Sequence, residues 1–179
     1  GEEELMIKLA DLLRKQAHDD ILIIIAPRHI KRSSIIQNRI KAAGFDIKSR
    51  SKGEFPYKND TFYLSDTMGE MGIWYSLVQI AFIGGSLVER GGHNPLEAAQ
   101  LGVVSFHGPH IYNTSAKYRQ LQSEGVSYEV NNADDIVERF NSLSFKELKA
   151  KAEKAKSISQ VDMTAVEESV KAIQKALTI

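Results

Sequence analysis

Hydrophobic positions along the chain fall into two alternating rhythms. Leu5, Ile7, Leu9, Leu12 and Leu13 lie broadly on one side of a helix, and Glu2 to Glu4 place negative charge at its N-terminal end, where the dipole favours it. A β-branched run, "ILIIIA" (Ile21 to Ala26), then predicts a strand buried on both faces. "SSIIQNRIKAAG" follows as a helix with a serine cap and a closing Gly44. "IKSRS" and "TFYLS" read as short strands around the loop "KGEFPYKND". Met68 to Leu77 predicts a helix, "QIAFIGG" a strand, Pro95 to Leu101 a helix and "VVSFHG" a strand. "SAKYRQLQSEG" is helical, "VSYEV" extended and "ADDIVERFNSL" helical, with about two further helices from Phe145 to the end. This alternation predicts an α/β fold, a Rossmann-like parallel sheet with helices on both faces. No repeat, low-complexity tract or linker interrupts it, so residues 1–179 read as one domain.

In open α/β sheets, ligands bind beyond the carboxyl ends of the strands. That rule gathers the unusual loops. "PRH" (Pro27 to His29) follows the first strand, "DTMGE" follows "TFYLS", "GGSLVERGGHNPLE" follows "IAFI", and "GPHIYN" follows "VVSF". Gly, Arg, His and Asn are thus expected on one edge of the sheet.

Composition narrows the partners. Lys plus Arg (23) equals Asp plus Glu (23), so no net field draws nucleic acid or an anionic membrane, and no nucleic-acid partner is expected. The absence of cysteine excludes disulfides and thiolate metal sites. Ile21 to Ala26, the longest apolar run, is far too short to span a bilayer, and "GEEEL" is no signal peptide, so a soluble domain is expected.

The glycine-rich segment "FIGGSLVERGGHNPLEAAQLG" (Phe82 to Gly102) carries the most chemistry. Pro95 suits a first helical turn, Asn94 suits the N-cap, and the free amides beyond it suit a phosphate. Gly91 and Gly92 would let that phosphate approach the backbone, and Glu97, one turn inside, could accept hydrogen bonds from ribose hydroxyls. The plainer alternative is that the glycines turn the chain and Asn94 only caps. Arg28 could clamp a phosphate or carboxylate with its planar fork, or pair with a surface acid. Met68 and Gly69 could offer an apolar floor and a backbone contact to a flat base, or belong to a helix start capped by Asp66 or Thr67. His93, His107 and His110 match no strong metal pattern, Ser86 lies in no nucleophile elbow, and no G-x-G-x-x-G fingerprint occurs, so neither metal nor cofactor is expected.

Taken together, "APRH", "SDTMGE", "AFIGGSLVERGGHNPLEAAQLG" and "GPHIYN" closely resemble the C-terminal half of the 3-deoxy-D-manno-octulosonic acid (Kdo) transferases, glycosyltransferases of lipopolysaccharide synthesis. The resemblance runs over nearly the whole chain and is densest from Gly84 to Gly102. It implies the donor-binding half of a GT-B fold, whose partner molecules are CMP-Kdo and a lipid A precursor. On that basis Arg28 would meet the donor phosphate or sugar acid, and Met68 and Gly69 the cytosine. Ser86, Gly92, His93 and Asn94 would lie near the phosphate, and Glu97 would hold the ribose. Glu89 and Glu97 repeat the E-x7-E spacing of many such enzymes. The family's N-terminal domain, with its membrane-associating segment, acceptor site and general base, is not in this sequence. No catalytic residue is therefore assigned here, and the chain alone is expected to be inactive. The intact enzyme would work at the cytoplasmic face of the bacterial inner membrane. The family also has a strand and an "STH"-like loop before "GEEE", and an aromatic where Thr114 stands. Two other readings remain: a different GT-B nucleotide-sugar enzyme, such as a UDP-sugar transferase or epimerase, and a non-catalytic α/β interaction module.

Overall fold

A computed structural model of the chain describes residues 1–18 and 20–177. Its helices are α1 (Glu3–Lys15), α2 (Ser33–Ala42), α3 (Met71–Leu77), α4 (Leu96–Gln100), α5 (Ser115–Ser123), α6 (Ala133–Ser142) and α7 (Phe145–Leu177). Its strands are β1 (Ile23–Ile25), β2 (Ile47–Ser49), β3 (Phe62–Leu64), β4 (Ile80–Ile83), β5 (Val104–His107) and β6 (Ser127–Glu129). The fold is α/β, and every strand pairing is parallel. The ladders form two three-stranded sheets, ordered β1-β3-β2 and β4-β5-β6. They belong to two units, Gly1–Trp74 with Val130–Ser142, and Tyr75–Glu129 with Leu143–Ile179.

In the first unit β3 is the central strand, and its three residues are buried. Successive strand residues face opposite sides of the sheet. Phe62 and Leu64 accordingly join one cluster with Ala10 of α1, Ile36 and Ile40 of α2, Phe45 and Ile47. Tyr63 faces the other way, its ring 5.5 Å from Trp74. Phe45 meets Phe62 edge-on at 5.3 Å, a favoured aromatic geometry. Each such side chain contributes roughly 1.5–3 kcal/mol by leaving water.

In the second unit β5 is central and buried along its length. Ile83, Ala98, Val103 and Tyr118 pack on one another, while Ala99, Leu121, Val126 and Ala155 form a second cluster. The small residues Ala98 and Ala99 let α4 sit close to its neighbours. Gly102, which ends α4 with a φ of +77°, would place a methyl 2.7 Å from the Lys156 side chain and 3.2 Å from Ala152 on α7.

Several expectations need correction. β1 is half-buried, not buried on both faces, because it is an edge strand bonded only to β3 among the described residues. Ser33 does not cap α2. Its hydroxyl donates to Ile30 O at 2.6 Å, back into the 3₁₀ turn Ile30–Arg32 that precedes the helix. The "two further helices" are one, α7, whose span contains neither Gly nor Pro to break it. No helix among the described residues is long and apolar enough to cross a membrane.

Candidate functional site

In the second unit the loops after β4 and β5 leave the same carboxyl edge of one parallel sheet, since Ile83 pairs with His107. The β4 loop closes on itself: Gly92 N–H donates to Gly85 O at 2.8 Å and His93 N–H to Gly84 O at 3.1 Å. Gly85, Gly91 and Gly92 hold φ of 73°, 82° and 71°, a region that costs any residue with a Cβ about 1–2 kcal/mol. Here the glycines are required by the turn.

The "GPHIYN" segment locks that loop in place. Ser86 Oγ donates to Ile83 O at 2.6 Å and accepts from Gly108 N–H at 2.8 Å, while His110 N–H donates to Ser86 O at 2.8 Å. Tyr112 Oη donates to Glu89 O at 2.9 Å, Asn113 Nδ2 to Arg90 O at 2.8 Å, and Asn113 N–H to Gly91 O at 3.1 Å. Tyr118 of α5 is fully buried and donates from Oη to His93 O at 2.7 Å. Ser86 is itself fully buried, so its hydroxyl serves the loop frame. Gly91 and Gly92 are buried against the same frame, and a methyl on Gly91 would overlap Asn113 at 2.4 Å.

His93, Asn94 and Glu97 are exposed at the end of this loop. The His93 ring lies over Gly85, with Nε2 3.6 Å from where a Cβ would stand. Asn94 behaves as expected at the helix start: its Oδ1 accepts from Leu96 N–H at 3.1 Å. The helix it opens has only five residues, so its dipole is small. Glu97 sits near Tyr75, whose phenol is pushed up to about 12 by burial and then by the Glu97 charge. His107 is fully buried, its ring tilted at 55° against that of Tyr118 with centroids 4.5 Å apart. Its Nδ1–H donates to Gly108 O at 2.7 Å, and burial lowers its pKa.

In the first unit, Arg28 follows β1 as an exposed side chain with no hydrogen bond or ion pair among the described residues. Met68 and Gly69 form an exposed turn after β3, Met68 being 72% exposed and Gly69 having φ +81°. The helix anticipated at Met68 starts at Met71, because Gly69 takes a left-handed backbone and Glu70 is held by Arg50 and Thr67. Asp66 is buried and accepts from Ser49 Oγ at 2.8 Å, Ser51 Oγ at 2.7 Å and Ser51 N–H at 2.8 Å. Burial opposes its ionisation, but the Ser51 and Ser49 hydrogen bonds outweigh that and lower its pKa. Glu70 accepts from Arg50 through Nε at 3.1 Å and Nη2 at 2.8 Å, and from Thr67 Oγ1. Those hydrogen bonds bring its carboxyl down to about 2. Met68 and Gly69 are thus displayed on a braced turn.

The sequence reading did not single out Arg50, Ser49, Ser51, Asn113 as a loop brace, or Tyr118. Tyr118 left one usable signal: a buried tyrosine needs a partner for its hydroxyl.

Over 139 residues the chain is 35% identical to the 3-deoxy-D-manno-octulosonic acid transferase of Haemophilus influenzae, covering 78% of this chain and 32% of that protein. It is 32% identical to that of Rickettsia felis, covering 98% of this chain and 38% of that one. The chain therefore spans about a third of the length of these curated relatives. No family model matches it. The crystal structure of the C-terminal CMP-Kdo binding domain of WaaA from Acinetobacter baumannii matches with a TM-score of 0.77 at 28% identity, covering 86% of this chain and 82% of that one.

Proposed function

The chain belongs to the 3-deoxy-D-manno-octulosonic acid transferase family, and from that premise we propose that residues 1–179 are the donor-binding part of a glycosyltransferase that moves Kdo from CMP-Kdo to a lipid A precursor. The likeness over 86% of the chain to a CMP-Kdo binding domain carries this reading. The family's N-terminal domain meets the acceptor and supplies the general base, and the full-length enzyme works at the cytoplasmic face of the inner membrane.

Each predicted residue has a stated part. Arg28 is exposed and without a competing acid, so its fork is available to the donor phosphate or sugar carboxylate. Met68 and Gly69 present an apolar side chain and open backbone to the cytosine. Gly92, His93 and Asn94 form the phosphate end, with Ser86 fixing the loop beneath them. Glu97 accepts from the ribose hydroxyls. In the transfer step an acceptor hydroxyl displaces CMP at the anomeric carbon of Kdo, the base takes the hydroxyl proton, and these donors stabilise the charge left on the CMP phosphate.

The test is a titration of the chain with CMP, UMP and AMP, followed by calorimetry or NMR. Saturable binding that favours CMP and weakens in Glu97→Ala and Arg28→Ala is expected. Preference for UMP or AMP would assign a different nucleotide-sugar enzyme, and no nucleotide binding by a folded sample would reject the reading.

A further inference from the structure

We propose that Tyr118 is a positioning residue for the donor phosphate: its hydroxyl sets the plane of the His93–Asn94 peptide so that Asn94 N–H is offered to the phosphate. The proposal rests on the donor-binding reading above and adds to it a residue twenty-five positions away in sequence.

The His93–Asn94 peptide group is planar and trans, so its C=O and N–H point to opposite sides. Tyr118 Oη holds the His93 carbonyl at 2.7 Å, and the N–H of that same peptide, on Asn94, must then point away from Tyr118. Among the described residues Asn94 N–H has no hydrogen-bond partner, while its neighbours His93 N–H and Leu96 N–H are both engaged, the one by Gly84 O and the other by Asn94 Oδ1. Asn94 is an exposed residue.

The hold on that peptide is rigid. Tyr118 is fully buried, its ring lies tilted at 55° against His107 with centroids 4.5 Å apart, and it lies against Gly92, where a methyl would come 3.3 Å from its hydroxyl oxygen. A ring fixed on these sides leaves its hydroxyl little room to follow a moving carbonyl. The neighbouring carbonyls of Glu89, Arg90 and Gly91 are held by Tyr112 and Asn113. α4 is too short to supply a strong dipole, so an oriented amide is the stronger recognition device here.

Tyr118→Phe removes the hydroxyl and keeps the ring, so the test compares ligands with and without phosphate on the 179-residue chain. The variant should bind CMP about tenfold more weakly, leave cytidine affinity unchanged, and keep the CMP-to-UMP ratio of the parent. In the unmodified chain, Asn94 N–H should exchange rapidly with solvent and become protected by CMP but not by cytidine. That measurement needs no variant and stands if Tyr118→Phe does not fold. Equal weakening of CMP and cytidine, or no weakening of either, would overturn the positioning role while leaving the donor reading intact. If the parent chain binds no CMP, the donor reading itself fails and this proposal with it.

Discussion

Gly108→Ala should be the most damaging single-methyl change in the second unit. Gly108 needs no left-handed backbone, so its requirement is one of space. The added methyl would stand 2.3 Å from Ser86 O, 2.5 Å from Ser86 C and 2.6 Å from Leu87 N. Ordinary contact begins near 3.4 Å, and all three atoms are backbone, so relief requires the two loops to part by about 1 Å. That separation pulls on Gly108 N–H to Ser86 Oγ and His110 N–H to Ser86 O, each 2.8 Å long. A buried polar group left unpaired costs about 1–3 kcal/mol, and overpacking adds about 1–3 kcal/mol. A loss of about 2–6 kcal/mol is therefore expected, a large share of a total stability of about 5–15 kcal/mol. Gly44→Ala is the control, with φ +82° and nothing within 4 Å, so only backbone strain of about 1–2 kcal/mol applies. Urea unfolding followed by two-dimensional amide spectra reads both, and the shifts of residues 84–93 should move in Gly108→Ala alone. A loss under about 1 kcal/mol with those shifts unchanged would show that the two loops are not interlocked as described.

Other outcomes follow from the charged groups. Glu70, with a pKa of about 2, should stay ionised through moderately acidic solution, so the stabilisation from its Arg50 pair is full above the ordinary value of 4.5 and is lost progressively as pH falls from there through about 2. A carboxyl-carbon NMR titration should give that midpoint, and Arg50→Lys should raise it. His107 behaves oppositely to an ion-paired histidine: its folded pKa lies below 6.5, so the unfolded chain takes up the proton first as pH falls. Stability of the second unit should drop as pH falls below 6.5, and His107→Gln should flatten that limb in pH-dependent melts. Glu97→Gln should lower the Tyr75 phenol from about 12, by removing the nearby charge while burial remains, as ultraviolet titration would show.

The α/β alternation was legible because its signals are local. α1 and α6 carry clear apolar stripes, and the loops at strand ends stood out by composition alone. What escaped was set by tertiary pairing. "ILIIIA" has the composition of a central strand, yet its pairing partner decides its burial, and β1 has only β3. Glycines in the β4 loop suggested a turn or a ligand, but the restraint on Gly91 comes from Asn113, and that on the His93 carbonyl from Tyr118 on α5. Similarly, "DTMGE" resembles a helix start until Ser49 and Ser51 claim Asp66 and Arg50 claims Glu70. These contacts join segments that periodicity treats one at a time.

The loop frame also explains how a segment so rich in glycine can hold one shape. Glycine gives the chain access to positive φ but leaves it free to leave that region, so a glycine loop by itself pays in entropy whenever it must hold one shape for a ligand. Here the cost is met within the fold. The carbonyls of Glu89, Arg90, Gly91 and His93 are engaged by residues 112–118, and the loop's base is closed by Gly84 and Gly85. In the proposed site, an anion arriving at Asn94 N–H would find a donor already oriented, and a charge-assisted hydrogen bond of about 1.5–3 kcal/mol would be realised without first ordering the backbone. Loosening any one clasp returns part of that ordering cost to the binding step. Asn113→Ala, which releases Arg90 O without touching the exposed surface at Asn94, should accordingly weaken CMP more than cytidine, as is expected of Tyr118→Phe.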